Sequence, residues 1–242
     1  GAFGPTPPPP ERARSGAERW LEPSRRRDLE ALEPMESTLE LAEALLKSPA
    51  RVLTALDAAP ETLWRLTLLA GGALAVTGVG VASFTGDLQL FAVPLKLTLG
   101  TLLCAVICLP SLHVFSCLSG ATQTLRQTWG ALLMGVALMA VLLCGFAPVV
   151  WVFAQATSSV ALVGALHLAF FLASAALGLG LTRRALSALN DAPLGASAPW
   201  CLMFVLVLVQ MATTLRPLVG PFDGVVLHDR MFFVAHWVSC LG

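Results

Sequence analysis

An all-α polytopic membrane protein, with about five transmembrane helices preceded by short amphipathic surface helices, is the fold class this sequence predicts. Three observations predict it. Of 242 residues, 56% are hydrophobic and only 12% charged, whereas an ordinary soluble domain carries about 25% charged and about 45–50% apolar residues. The charges are also segregated. Nine of the fifteen Lys and Arg lie at or before Arg65, and eleven of the fifteen Asp and Glu lie at or before Glu61, so that ten charged residues remain from Leu66 to Gly242. That apolar remainder divides into runs of bilayer length, since a helical span takes about 20 mostly apolar residues. The zero net charge sums a polar head and an apolar body, and the body has no basic face for nucleic acid.

Residues 1–34 are rich in Pro, Arg and Glu and read as a polyproline-like tail without a periodic apolar face. Pro7 to Pro10 and Arg25, Arg26 and Arg27 give it nothing to bury against its own spans, so a groove or acidic surface on a partner protein is expected to hold it. No apolar stretch follows a basic start, and no signal peptide is read. Residues 35–62 form amphipathic interfacial helices. In "ESTLELAEALLK", Ser37 and Glu40 make a capping-box pattern ahead of Leu39, Leu41, Leu45 and Leu46. Ser48 and Pro49 then supply a second N-cap and first-turn proline for a helix carrying Val52, Leu53 and Leu56. Both helices are expected on the membrane surface.

Residues 63–216 hold five apolar runs, Leu66–Phe84, Phe91–Leu118, Ala131–Ala154, Val160–Leu181 and Trp200–Leu215. Pro94, Pro110 and Pro148 lie in or beside them, with kinks expected near the last two. Residues 217–242 read as an outer-side surface segment or the stump of a sixth span. Arg25, Arg26, Arg27, Lys47, Arg51, Arg65, Arg126, Arg183 and Arg184 all fall on one side of this layout, which places the N-terminus in the cytoplasm and the C-terminal segment outside. The Ala, Leu, Arg and Pro bias and the absence of Tyr point to a bacterium of high G+C content, hence to an inner membrane and a periplasmic outer side.

Few residues suggest chemistry. Cys104, Cys108, Cys117, Cys144 and Cys201 lie in apolar runs without a CxxC or Cys–His zinc-finger spacing, so they read as small packing residues and no metal site is expected. His113 and His167 count for more, because an ionisable side chain within a span is by default a functional candidate. Each could ligate a haem or pigment, or be a neutral histidine bonded to a neighbouring helix. Their depths in the layout differ by about 12 Å, too much for two axial ligands of one iron. Gly71, Gly72, Gly78, Gly80, Gly178 and Gly180 point to tight helix contacts. "VPLKLT", Val93 to Thr98, resembles the short core of actin-binding WH2 motifs over four residues. Lys96 opens an apolar run and snorkels there, so no actin contact is expected. Phosphate loops, paired carboxylates and nucleophile–base pairs are missing from the sequence, and no enzyme activity is expected.

Arg216, Pro217 and Gly220 end the fifth run. An arginine at a helix C-terminus caps last-turn carbonyls and meets headgroups or a partner, Pro217 stops the helix, and Gly220 permits a turn along the surface. The strings "VPLKLTLGTLLCAVICLPSLHVFSCLSG", "FAPVVWVF" and "TTLRPLVG" together resemble an uncharacterised family of bacterial multi-span membrane proteins with a terminal LRPxxG motif. The layout more loosely resembles the Yip-type five-span membrane proteins. The likeness covers Pro94 to Gly220 and implies a helical membrane fold without enzyme activity. Three readings follow: a non-catalytic membrane subunit in contact with lipids and other subunits; a small-solute transporter or channel, drawing on His167, Gln155 and the prolines; and a pigment- or haem-binding subunit using His113 or His167.

Overall fold

The computed structural model describes residues 37–82, 89–156, 160–190 and 197–214. Among these residues there are seven helices and no strand: α1 (Thr38–Lys47), α2 (Pro49–Ala58), α3 (Glu61–Ala82), α4 (Gln89–Leu118), α5 (Leu125–Ala156), α6 (Val160–Asn190) and α7 (Ser197–Thr214). Helices α3 to α6 are long and apolar enough to cross a bilayer, over 22, 28, 29 and 26 residues. The chain is a polytopic helical membrane protein. Helix α7, the fifth run, is apolar but has 18 residues, about 27 Å at the usual rise. Residues 215–242, with the last residue of the fifth run, lie outside the described residues.

Helix α1 begins with the capping box read from the sequence: Glu40 N–H donates to Ser37 Oγ at 3.0 Å, and Ser37 N–H donates to Glu40 Oε2 at 3.2 Å. Ser48 is the N-cap of α2 and Pro49 lies in its first turn, as the sequence predicts, but the Ser48 side chain makes no cap bond. Ser48 is the single residue between two helices, and its backbone serves both. Its N–H donates to Ala44 O at 2.8 Å and its carbonyl accepts from Arg51 N–H at 3.0 Å. The apolar faces of α1 and α2 turn toward the bundle. Leu41, Leu45, Val52 and Leu56 are buried while Leu39 and Leu46 are exposed, and both helices pack on α3 and α5.

Helix α5 is the axis of the bundle. Every residue from Gly130 to Ala137 is buried, which a helix achieves only when neighbours cover its whole circumference. Helices α3 and α6 supply most of that cover, and α4, α2 and α1 add the rest. The outward faces are apolar instead: Leu95, Leu99, Leu103, Val106 and Val114 of α4 are each half or more exposed. In water, leaving each of them out would forgo about 1.5–3 kcal/mol of burial; against lipid tails it forgoes nothing comparable. The helices continue through Pro94, Pro110 and Pro148. Helix α6 runs nine residues past its predicted end, beyond Arg183 and Arg184 to Asn190, since charges that end an apolar run do not end a helix whose backbone stays bonded.

Two crossings bring backbones together. A Cβ added to Gly78 of α3 would stand 2.5 Å from Pro94 Cα of α4, and one added to Gly135 of α5 would stand 2.6 Å from Gly178 O of α6. Gly78 and Gly178 thus occupy the tight contacts that small residues permit. Gly71 and Gly80 make ordinary contacts, and Gly72 and Gly180 have nothing within 4 Å. Helix α7 docks on α4 through Trp200, Phe204 and Leu208, all buried and four residues apart. The Trp200 indole N–H donates to Ser111 Oγ at 3.2 Å and Cys108 O at 3.4 Å, beside Pro110, where the helix lacks one of its own donors.

Candidate functional site

The α4–α5 reversal is built by two local motifs. Gly120, at φ 85°, ends α4 with Ala121 N–H bonded to Ser116 O at 3.1 Å and Gly120 N–H to Cys117 O at 2.9 Å. This is the paired closure that a left-handed glycine allows. Thr124 then opens α5. Its Oγ1 accepts from Gln127 N–H at 3.3 Å, and Gln127 Oε1 accepts from Thr124 N–H at 3.0 Å, a reciprocal cap.

That reversal sets His113 of α4 level with the first turn of α5. His113 Nδ1 lies 3.0 Å from Thr128 Oγ1. The Thr128 hydroxyl is also placed to donate to Thr124 O at 3.1 Å, an arrangement that the Nδ1–H tautomer of His113 completes by donating to Thr128 Oγ1. In that tautomer Nε2 accepts from the Cys117 thiol, with Sγ at 3.8 Å. His113 is half-buried and Cys117 exposed. His113 is thus bonded to a neighbouring helix through Thr128 of α5.

His167 sits differently. It lines a cavity of about 10 Å³ with Thr77, Ala147, Phe170, Trp151 and Phe146, and among the described residues its ring has no hydrogen-bond partner. Phe146 and Phe170 stack beside it at 4.5 Å. A space of that size admits about one water. His113 is level with Thr128 and His167 with Ala147 of the same α5, so about 30 Å of helix separates them. The depth difference of about 12 Å expected from run lengths is too small, because it takes the spans as about 30 Å long, whereas α5, which both histidines are measured along, has 32 residues. The two histidines belong to opposite ends of the bundle and do not meet.

Around the His113 end, α2 is clasped to α5. Arg126 Nη2 donates to Leu56 O at 3.0 Å, Gln127 Nε2 donates to Asp57 Oδ1 at 3.1 Å, and Leu56 rests on Gly130. A cleft of about 180 Å³ remains there, bounded by Leu53, Asp57, Leu63, Arg126 and Leu189. Asn190 at the end of α6 ties down the loop, donating from Nδ2 to Gln123 Oε1 and accepting from Thr122 N–H. Lys47, Arg51, Arg65, Arg126, Arg183 and Arg184 all belong to this end, within the first or last two turns of α1, α2, α3, α5 and α6. Arg25, Arg26, Arg27, Arg216, Pro217 and Gly220 lie outside the described residues.

The contact sequence reasoning missed is the His113–Cys117 pair. A search for zinc-finger spacings passes over it, although a His-x₃-Cys string on a helix puts both side chains on one face. Among the described residues no group of three or more His, Cys, Asp and Glu is placed to hold a metal ion. No known protein family, curated protein or solved structure matches the chain.

Proposed function

We propose that the protein is a non-catalytic integral membrane subunit, structural or accessory, of a larger complex in a bacterial inner membrane. The observation that carries this reading is the pair of backbone-close crossings, Gly78 on Pro94 and Gly135 on Gly178, inside a bundle whose outward faces are apolar. Transport by alternating access needs one group of helices to rock over another, and interlocked backbones oppose that motion. Apolar outer faces, in contrast, suit lipid and the helices of neighbouring subunits. The basic residues gathered at the α1/α2 end favour a cytoplasmic place for that end by the positive-inside rule; residues 1–34 would dock onto a partner, and the C-terminal segment would face the periplasm.

Purification of the full chain in a gentle detergent, followed by identification of all proteins that remain bound, tests the reading. Defined partner subunits are expected, and deleting residues 1–34 should reduce their recovery while membrane insertion is unchanged. A monodisperse protein with no partner in several detergents would overturn it.

A further inference from the structure

We propose that His113 and Cys117 form a binding site for a thiophilic d¹⁰ cation, the chemistry shared by Zn²⁺ and Cu⁺, at the end of α4. Cys117 Sγ and His113 Nε2 are 3.8 Å apart. A tetrahedral zinc ion bound to one sulfur at about 2.3 Å and one imidazole nitrogen at about 2.1 Å requires those donors to stand roughly 3.6 Å apart, and a trigonal ion slightly more. The observed separation is the bite of such an ion, and one helix sets it through the four-residue spacing of the pair.

The nitrogen facing the thiol is also the one that accepts in the Nδ1–H tautomer, so a metal ion would take the place of the thiol proton between Sγ and Nε2. Thr128 Oγ1 receives Nδ1–H at 3.0 Å, and Thr124 O holds Thr128 at 3.1 Å. Metal-bound histidines usually donate their other N–H to such a partner, which fixes the ring and raises its basicity. Here that support is present on a second helix. Soft sulfur with imidazole selects Zn²⁺ or Cu⁺ over Mg²⁺ or Ca²⁺. Two donors leave positions for water or for ligands from a neighbouring molecule, and Cys117 is exposed, as are Leu118, Ser119 and Gly120 beyond it. Binding forms Sγ–metal and Nε2–metal bonds and releases the thiol proton to solvent, so affinity rises with pH.

The test uses the full chain in detergent, with Zn²⁺ alone as the probe and maleimide alkylation of each cysteine followed by peptide mass spectrometry. Zn²⁺ should slow alkylation of Cys117 at least about tenfold and leave Cys144 and Cys201 unaffected. His113→Gln, which keeps a group able to bond Thr128, should be alkylated normally without metal and lose the protection. Thr128→Val should weaken the Zn²⁺ dependence by about tenfold while retaining it. With Co²⁺ as probe, thiolate charge-transfer absorption should appear in the parent and vanish in Cys117→Ser. Absence of protection, protection that survives His113→Gln, or equal slowing at Cys144 and Cys201 would each overturn the site. If His113→Gln fails to fold, the comparison of Cys117 with Cys144 and the Co²⁺ spectrum still decide.

Discussion

At the scale of single residues, Gly135 and Gly180 belong to equally apolar runs of sequence, yet a methyl group on the first meets Gly178 O at 2.6 Å and on the second meets nothing within 4 Å. Replacing Gly135 or Gly178 by Ala should therefore cost about 1–3 kcal/mol of overpacking, because a backbone carbonyl cannot rotate away as a side-chain tip can. The same change at Gly72 or Gly180 should be neutral or gain up to about 1 kcal/mol from helix propensity. Unfolding in mixed micelles of increasing denaturing detergent measures all four. Equal effects at the two pairs would mean that the α5–α6 crossing is looser than its contacts imply. Ser174 of α6 gives a second residue-scale case: it is fully buried, and its hydroxyl has no partner among the described residues. Ser174→Ala removes a polar group that gains nothing, so stability should hold or rise slightly.

Among the elements, α7 and α2 each depend on a small set of contacts. Helix α7 touches α4 along one stripe, and Trp200 contributes both its buried ring and a donor to the α4 backbone beside Pro110. Trp200→Phe keeps most of the ring and loses the bond, at about 0.6 kcal/mol for a hydrogen bond within a membrane. Trp200→Ala leaves a void, and about 3–5 kcal/mol is expected. Hydrogen exchange in residues 197–214 should rise sharply only in the second variant. Helix α2 is held by the charged donor Arg126 on Leu56 O, a class of bond with a net contribution of about 1.5–3 kcal/mol. Arg126→Ala should raise exchange over residues 49–58 without altering α3 or α5; unchanged exchange would show that buried Val52 and Leu56 suffice.

For the molecule as a whole, the claim open to test is orientation. The basic end includes the start of α5 and the end of α6, so by the positive-inside rule reporters fused after Gly120 or Leu186 should read cytoplasmic and one after Thr157 should read outside. Opposite readings at two of these positions would invert the assignment. The same experiment bears on α7. A reporter placed after residue 214 reads outside if its 18 residues cross the bilayer, and inside if they dock on α4 without crossing.

The sequence by itself determined that this chain is helical and lives in a membrane, because composition and run length are properties of the solvent a chain must match, and neither depends on which helix touches which. It also determined the Ser37–Glu40 cap, whose two partners are three residues apart. The N-cap position of Ser48 and the first-turn place of Pro49 were legible in the same way, whereas the absence of a side-chain bond from Ser48 was not. Which glycines are contacts, that His113 meets Thr128, that α1 and α2 turn Leu41 and Leu56 to the bundle, and that Trp200 bonds Ser111 and Cys108 of α4 were decided by the tertiary structure alone. Each depends on the rotation and vertical offset of one helix against another. Apolar runs carry almost no information about either, since nearly every face of a spanning helix is hydrophobic and no alternation marks the side that faces its neighbour.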